Sequence, residues 1–260
     1  MKPRPPITAV TFDVGGTLIE PWPSVGHVYA EVATRWGLAG VTAEALNRGF
    51  AAAWQVRRPF DHSRAAWQRL VNQTFAAAGA TRPSDACFGA IYRRFAETSA
   101  WRVFDDAQPA LEALAARGLR LGIVSNWDER LRPLLARLGL AKYFRASIIS
   151  CEAGHLKPDP EIFARAAAEL GCEPAVLIHV GDSVQEDAEG ARAAGMRAVL
   201  IDRSGRHGRH GKAESAGSAD GPPPHVGGYG VISSLRALPA SLDAAGTNGN
   251  LDYQPGPVSR

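Results

Sequence analysis

Cysteine is scarce in this chain: Cys87, Cys151 and Cys172 are odd in number and show neither close pairing nor metal-ligand spacing. No disulfide framework is expected, only reduced thiols. Lysine is rarer still against arginine, with Lys2, Lys142, Lys157 and Lys212 the only four among 29 basic residues. Long apolar runs are missing too, and nothing approaches the roughly 20 residues that a helix needs to cross a bilayer. The opening MKPRPPITAVTF has too short an apolar run for a signal peptide, so a soluble, cytoplasmic protein with no membrane partner is expected. The net charge is only +3, and arginines alternate with acidic residues along most of the chain. No broad face is therefore built for a polyanion, which argues against nucleic acid as a partner.

What is present is a chain of 260 residues, 45% hydrophobic, enough for a large core with an accessory unit. From Asp106 onward amphipathic helices alternate with short apolar strands, the pattern of an α/β fold with a parallel sheet. DDAQPALEALAARG reads as a helix capped by Asp and closed by Gly118, and DPEIFARAAAELG as one closed by Gly171. LRLGIVSN, ASIIS, AVLIHVGD and RAVLID read as strands. Between Glu20 and Trp101 no strand is evident; SVGHVYAEVATRWG, TAEALNRGFAAAWQVRR, SRAAWQRLVNQTFAAAG and SDACFGAIYRRFAETS predict four packed helices. Residues 1–20 and 102–243 thus form the expected core and 21–101 an all-helical insertion overhanging the strand ends. Residues 203–228 are expected as a flexible loop, YGVISSLRALPASL as an edge strand with a short helix, and 244–260 as a disordered tail.

Four polar signals fall at strand ends: Asp13, Ser125 with Asn126, Lys157 before Pro158, and Asp182 with Asp187. Strand C-termini of a parallel sheet converge on one edge, so these can meet. Asp13 and Asp182 make a hard oxygen site that suits Mg²⁺, which keeps its other positions for water and phosphate. Ser125 and Lys157 can hold phosphate oxygens, with Gly15 and Gly16 letting a ligand approach the backbone. Asp13 is the candidate nucleophile. Each residue alone has an ordinary structural use as a cap, a turn or a surface charge; four coincidences at four strand ends argue for a shared site.

The segments DVGGT, SN, LKPDPEIF and GDSVQED resemble the four ordered motifs of the haloacid dehalogenase-like (HAD) hydrolase superfamily, in the subgroup with a helical cap after the first motif. The resemblance covers residues 7–202 and resumes at 229–241. It implies a Rossmann-like core with a four-helix cap, and phosphoryl transfer from a small phosphorylated substrate through an aspartyl-phosphate on Asp13. Mg²⁺ would be held by Asp13, Asp182 and the Gly15 carbonyl, with Asp187 in support. Gly16, Thr17, Ser125, Asn126 and Lys157 would bind the phosphate.

Family phosphatases carry a second Asp two residues after the nucleophile, which protonates the leaving group; here that residue is Gly15. A positioned general acid is worth about 10²- to 10⁴-fold, so weak turnover is expected, and Gly15→Asp is expected to raise turnover of alkyl phosphates. Members without that Asp include metal-free dehalogenases, which remain an alternative, as does a phospho-ligand or partner-binding protein without turnover. Phosphonate hydrolases need a cap lysine, and residues 21–101 contain none. Trp22, His27, Tyr29, Trp54, Arg57, Arg58, Phe60, His62 and Trp67 lie toward the substrate entrance by analogy, and about three quarters of them are expected in helix packing. His27 is a candidate replacement for the missing acid.

Overall fold

Strand β1 (Ala9–Phe12) is buried at every position, as a strand covered by helices on both faces must be. The structure is a computed structural model and describes residues 5–38, 40–56, 60–203, 225–226 and 229–247. After β1 come β2 (Ile19–Pro21), helices α1 (Val25–Arg35), α2 (Ala43–Gln55), α3 (Arg64–Ala77) and α4 (Asp85–Arg94), and β3 (Trp101–Val103). Then follow α5 (Ala107–Ala116), β4 (Arg120–Ser125), α6 (Leu131–Arg137), β5 (Ala146–Ile149), α7 (Ser150–Ala153), α8 (Pro160–Leu170) and β6 (Leu177–Gly181). A π-helical turn over Val184–Glu189 leads into α9 (Gly190–Ala193), β7 (Arg197–Ile201), β8 (His225–Val226), β9 (Tyr229–Ile232) and α10 (Leu238–Thr247).

The sheet runs β5-β4-β1-β6-β7-β9-β8, all pairs parallel except β8 with β9. Val10 and Phe12 of β1 turn to one face, packed with Leu111 and Leu114 of α5, Leu134 of α6 and Leu238 of α10. Ala9 turns to the other, against Ile162, Phe163 and Leu170 of α8 and Ala191 of α9. The chain crosses from β1 to β4 and β5 on one side and to β6 and β7 on the other. That leaves a crevice at the C-terminal end of β1, the place where open α/β sheets take ligands.

All four inserted helices begin on a hydroxyl: Ser24, Thr42, Ser63 and Ser84 each accept the backbone N–H three residues on. Their own buried cluster includes Tyr29, Leu46, Val71, Phe75, Phe88 and Ile91. The insertion leaves and rejoins the sheet through β2 and β3, an antiparallel pair with Ile19 opposite Val103.

Several expectations change. The Asp106 side chain makes no cap bond at α5; it accepts instead from Arg203, from Ser234 Oγ and from the Leu235 N–H. β9 is not an edge strand, because His225–Val226, within the expected loop, pair with it as β8. Residues 244–247 continue α10 rather than starting a tail. The remaining loop residues 204–224 and 227–228, the tail 248–260, and Arg57 and Arg58 lie outside the described residues. No helix among the described residues is long and apolar enough to cross a membrane.

Candidate active site

Three adjacent strands deliver the central groups: Asp13 follows β1, Ser125 ends β4 and Asp182 follows β6. Ser125 Oγ donates to Asp13 Oδ1 at 2.8 Å, and Lys157 Nζ donates to the same oxygen at 2.7 Å. Lys157 is buried, and its ammonium also reaches Asp187 Oδ1 at 2.5 Å. Burial works against that charge, but Asp13 and Asp187 outweigh it and raise the amine above its ordinary range. Burial alone would likewise raise Asp187; Lys157 and His179 instead hold its carboxyl well below the usual carboxylate range.

The lysine is placed by a surrounding frame. The Asn126 amide grips the Lys157 backbone, accepting its N–H at 2.7 Å and donating to its carbonyl at 3.0 Å, and also donates to the Glu186 carboxylate at 3.3 Å. Asn126, expected to bind phosphate, is thus placed as the clamp that positions Lys157. Asp187 is held in turn by the Ser183 N–H at 2.9 Å and by His179 Nε2 at 3.0 Å. Burial pushes His179 down, so the imidazole is neutral. Since a carboxylate only accepts, Nε2 carries the proton and Nδ1 accepts from the Thr11 hydroxyl at 2.9 Å. The wide turn after β6, with Ala188 N–H bonding to the Ser183 carbonyl, sets Asp187 beneath the lysine. Thr11 and His179 escaped the sequence reading because they sit inside strands, where a polar residue carries no motif.

Asp13, Asp182 and Asp187 bring carboxylate oxygens within 4.8 Å of one another. Burial, then the charges of Asp13 and Asp187, push Asp182 up to about 8. Asp182 meets solvent where it lines a cavity and is crowded by protein elsewhere. One ammonium faces three carboxylates, so a divalent cation would balance the set, and hard oxygen donors fit Mg²⁺. Asp13 and Asp182 are the carboxylates open to it; both Asp187 oxygens already accept protein hydrogen bonds.

The turn after β1 depends on glycine. Gly16 has φ +80°, and a Cβ there would collide with the Asp182 carboxylate. Gly15 lines the cavity, and a Cβ on it would lie 3.1 Å from the Trp127 ring. Trp127 is fixed by its backbone, whose N–H donates to Ser150 Oγ at 3.0 Å. Its ring packs on Trp101 with centroids 5.2 Å apart. A side chain at position 15 would thus press on this indole. Thr17 departs from its expected role: it turns into the core, is fully buried without a partner for its hydroxyl, and does not line the cavity.

The cavity measures about 700 Å³ and rises from Asp13, Ser125, Lys157 and Asp182 into the inserted helices. Tyr29, Trp54, His62 and Trp67 all line it, so more of the entrance aromatics face the cavity than helix packing alone predicted. Phe60 packs behind, 4.9 Å from Trp67. His27 is exposed, bonded to Ser24 and away from the cavity, and so does not replace the missing acid. Trp22 is also exposed, under the Arg102 guanidinium. Tyr92, Trp127 and Arg130 also line the cavity, though no motif flagged them. Arg130 pairs with Asp128 at 2.6 Å and donates to the Tyr92 carbonyl at 2.7 Å, joining the loop after β4 to α4.

A haloacid dehalogenase-like hydrolase model matches residues 7–195. The chain is 38% identical over 213 residues to haloacid dehalogenase-like hydrolase domain-containing protein 3 of Bos taurus, covering 77% of this chain and 84% of that one. It is 32% identical over 243 residues to a plasmid-encoded phosphoglycolate phosphatase of Cupriavidus necator, covering 92% and 95%. The structure of 2-haloacid dehalogenase from Pseudomonas syringae pv. Tomato DC3000 superimposes with a TM-score of 0.58 at 27% identity, covering 92% and 99%. The chain belongs to the haloacid dehalogenase-like hydrolase family.

Proposed function

We propose that this hydrolase is a Mg²⁺-dependent phosphatase of small phosphorylated metabolites, in which Asp13 accepts the phosphoryl group and the helical insertion serves as a cap. The observation that carries the reading is the convergence of Ser125 Oγ and Lys157 Nζ on one Asp13 oxygen beside the Asp182 carboxylate. A phosphatase relative matched across most of the chain supports it.

Ser125 and Lys157 release Asp13 to hold the oxygens of the incoming phosphoryl group, whose charge develops where their protons already point. Asp13 and Asp182, with the Gly15 carbonyl, would hold Mg²⁺, which supplies charge neutralisation to the phosphoryl oxygens. Asp13 then attacks phosphorus and the P–O bond to the leaving group breaks. Asp187, Asn126 and His179 do not touch substrate; they hold the lysine in place and protonated. With Gly15, the leaving oxygen departs without a positioned proton donor, and water attacks the phosphoenzyme without a positioned base. Both steps are slowed, the second for every substrate. A carbon-attacking route without metal has no use for a second carboxylate, Asp182, set beside Asp13, and this favours phosphoryl chemistry.

The test is intact mass and peptide mapping after mixing with Mg²⁺ and acetyl phosphate, whose leaving group needs little protonation. The expected result is one phosphoryl group on Asp13, absent with chelator and absent in Asp13→Asn. An unmodified Asp13 in protein shown to bind Mg²⁺ contradicts the proposal, and turnover of a 2-haloacid would replace it with dehalogenation.

A further inference from the structure

The geometry points to a small aromatic phosphate monoester as substrate, its aryl group lodged among the aromatic side chains of the inserted helices while its phosphate sits at Asp13. This inference rests on the phosphatase reading above and names its substrate class.

Two independent observations lead there. The first is chemical. At Gly15 there is no acid, and a Cβ there would press on the Trp127 ring 3.1 Å away. The leaving oxygen must therefore depart as an anion. An aryloxide, whose conjugate acid is a phenol, does so far more readily than an alkoxide, so the site selects for aryl over alkyl esters. The second is the shape and lining of the cavity. Phe50 and Trp54 stack at 5.5 Å, Trp54 and Trp67 at 6.1 Å, and Trp101 and Trp127 lie 5.2 Å apart, all lining the chamber. Flat π surfaces of this kind take a planar ring by stacking or edge contact. At about 700 Å³ the chamber suits a small molecule of one or two rings.

What lines the chamber also argues against a carboxylated phosphate. Besides Lys157, the one cation among the described lining residues is Arg130, and Asp128 and the Tyr92 carbonyl already hold its guanidinium.

The reaction balances with water alone. An Asp13 oxygen bonds to phosphorus, the P–O(aryl) bond breaks, and the aryloxide leaves with the electron pair and takes a proton from solvent. Water then bonds to phosphorus, the P–O(Asp13) bond breaks, and the pair returns to the carboxylate. The phenol and inorganic phosphate are released.

The test separates binding from leaving-group chemistry by using phosphonates, which cannot be hydrolysed, to protect Asp13 from acetyl phosphate labelling in the presence of Mg²⁺. Protection by 2-naphthylmethylphosphonate is expected at concentrations at least tenfold below those needed for methylphosphonate. In Trp54→Ala the ratio of the two is expected to fall toward one; if that variant does not fold, the wild-type ratio decides. Equal protection by the two phosphonates, with labelling intact, overturns the aromatic assignment and leaves the phosphatase standing. Failure of labelling itself overturns the phosphatase. Protection by a phosphonate analogue of a phosphotyrosyl peptide, at concentrations as low as for the naphthyl compound, overturns the restriction to small molecules.

Discussion

Asp13 is flanked by two residues whose size decides what it can do. Gly15 withholds a carboxylate, and a Cβ in its place would press on the Trp127 ring 3.1 Å away. The simple repair, Gly15→Asp, therefore carries a steric condition invisible in the sequence. Alone it is expected to gain little, because its Cβ presses on the Trp127 ring, which is packed on Trp101. Combined with Trp127→Ala it is expected to raise kcat for an alkyl phosphate by about 10²-fold, the lower end of what a positioned acid supplies. Steady-state kinetics of the single and double variants on glycerol phosphate check this, and a full gain from Gly15→Asp alone contradicts it. Asp182 gives a second test. Its carboxyl is pushed up to about 8 in the metal-free protein, above its unfolded value, so its contribution to stability is lost as pH rises toward 8. Asp182→Asn is expected to abolish Mg²⁺-dependent labelling of Asp13 and to raise metal-free thermal stability at pH 8, where unfolding by calorimetry reads it. A variant less stable than wild type at that pH contradicts the charge argument.

The helices and central strands were legible in the sequence for physical reasons. Ser24, Thr42, Ser63 and Ser84 stand at the first residue of each inserted segment, and Gly118 and Gly171 take positive φ where α5 and α8 end. β2 and β3 were not legible, because three residues each, one of them Pro21, carry no alternation to read. Helical periodicity also could not tell Trp54 and Trp67, which face a cavity, from Phe75, which faces a core; both uses place an aromatic on the inner stripe of a helix. The loop after β4 shows the same limit: Asp128, Glu129 and Arg130 belong to no motif but fasten the insertion to the sheet. Glu129 accepts from the Tyr92 hydroxyl at 2.9 Å, and Asp128 is buried under Arg130. Removing Arg130 leaves Asp128 buried without its cation, so Arg130→Ala is expected to cost about 3 kcal/mol in urea unfolding. A loss below about 1 kcal/mol, the usual worth of an exposed pair, contradicts that role.

Across the whole molecule, the same side chains that close the sheet also brace the site. Arg203, just past β7, donates to the Asp106 carboxylate and to the Thr17 carbonyl at 2.7 Å, tying the far strands to the turn that carries Gly15 and Gly16. Burial alone would raise Asp106, but Arg203, Ser234 and the Leu235 N–H bring it below its ordinary value. A depressed carboxyl stabilises the fold above its unfolded pKa and loses that contribution as pH falls through the folded one. Asp106→Asn is thus expected to be less stable than wild type at neutral pH, with the gap closing below the ordinary carboxylate range; a gap that does not change with pH contradicts this. The motif residues at the strand ends were legible because a parallel sheet gathers its C-termini at one edge. The chamber above them was not, since it is built from residues distant in sequence, such as Tyr29 and Trp127, that meet only in the folded chain. The proposed mechanism keeps nucleophile and lysine but lacks the proton-handling group, and rapid mixing with para-nitrophenyl phosphate and Mg²⁺ tests it most directly. It predicts a burst of about one nitrophenolate per protein followed by a much slower phase, because the phosphoenzyme forms without an acid but waits for water. Linear release from the first turnover, at the rate of the steady state, would contradict it.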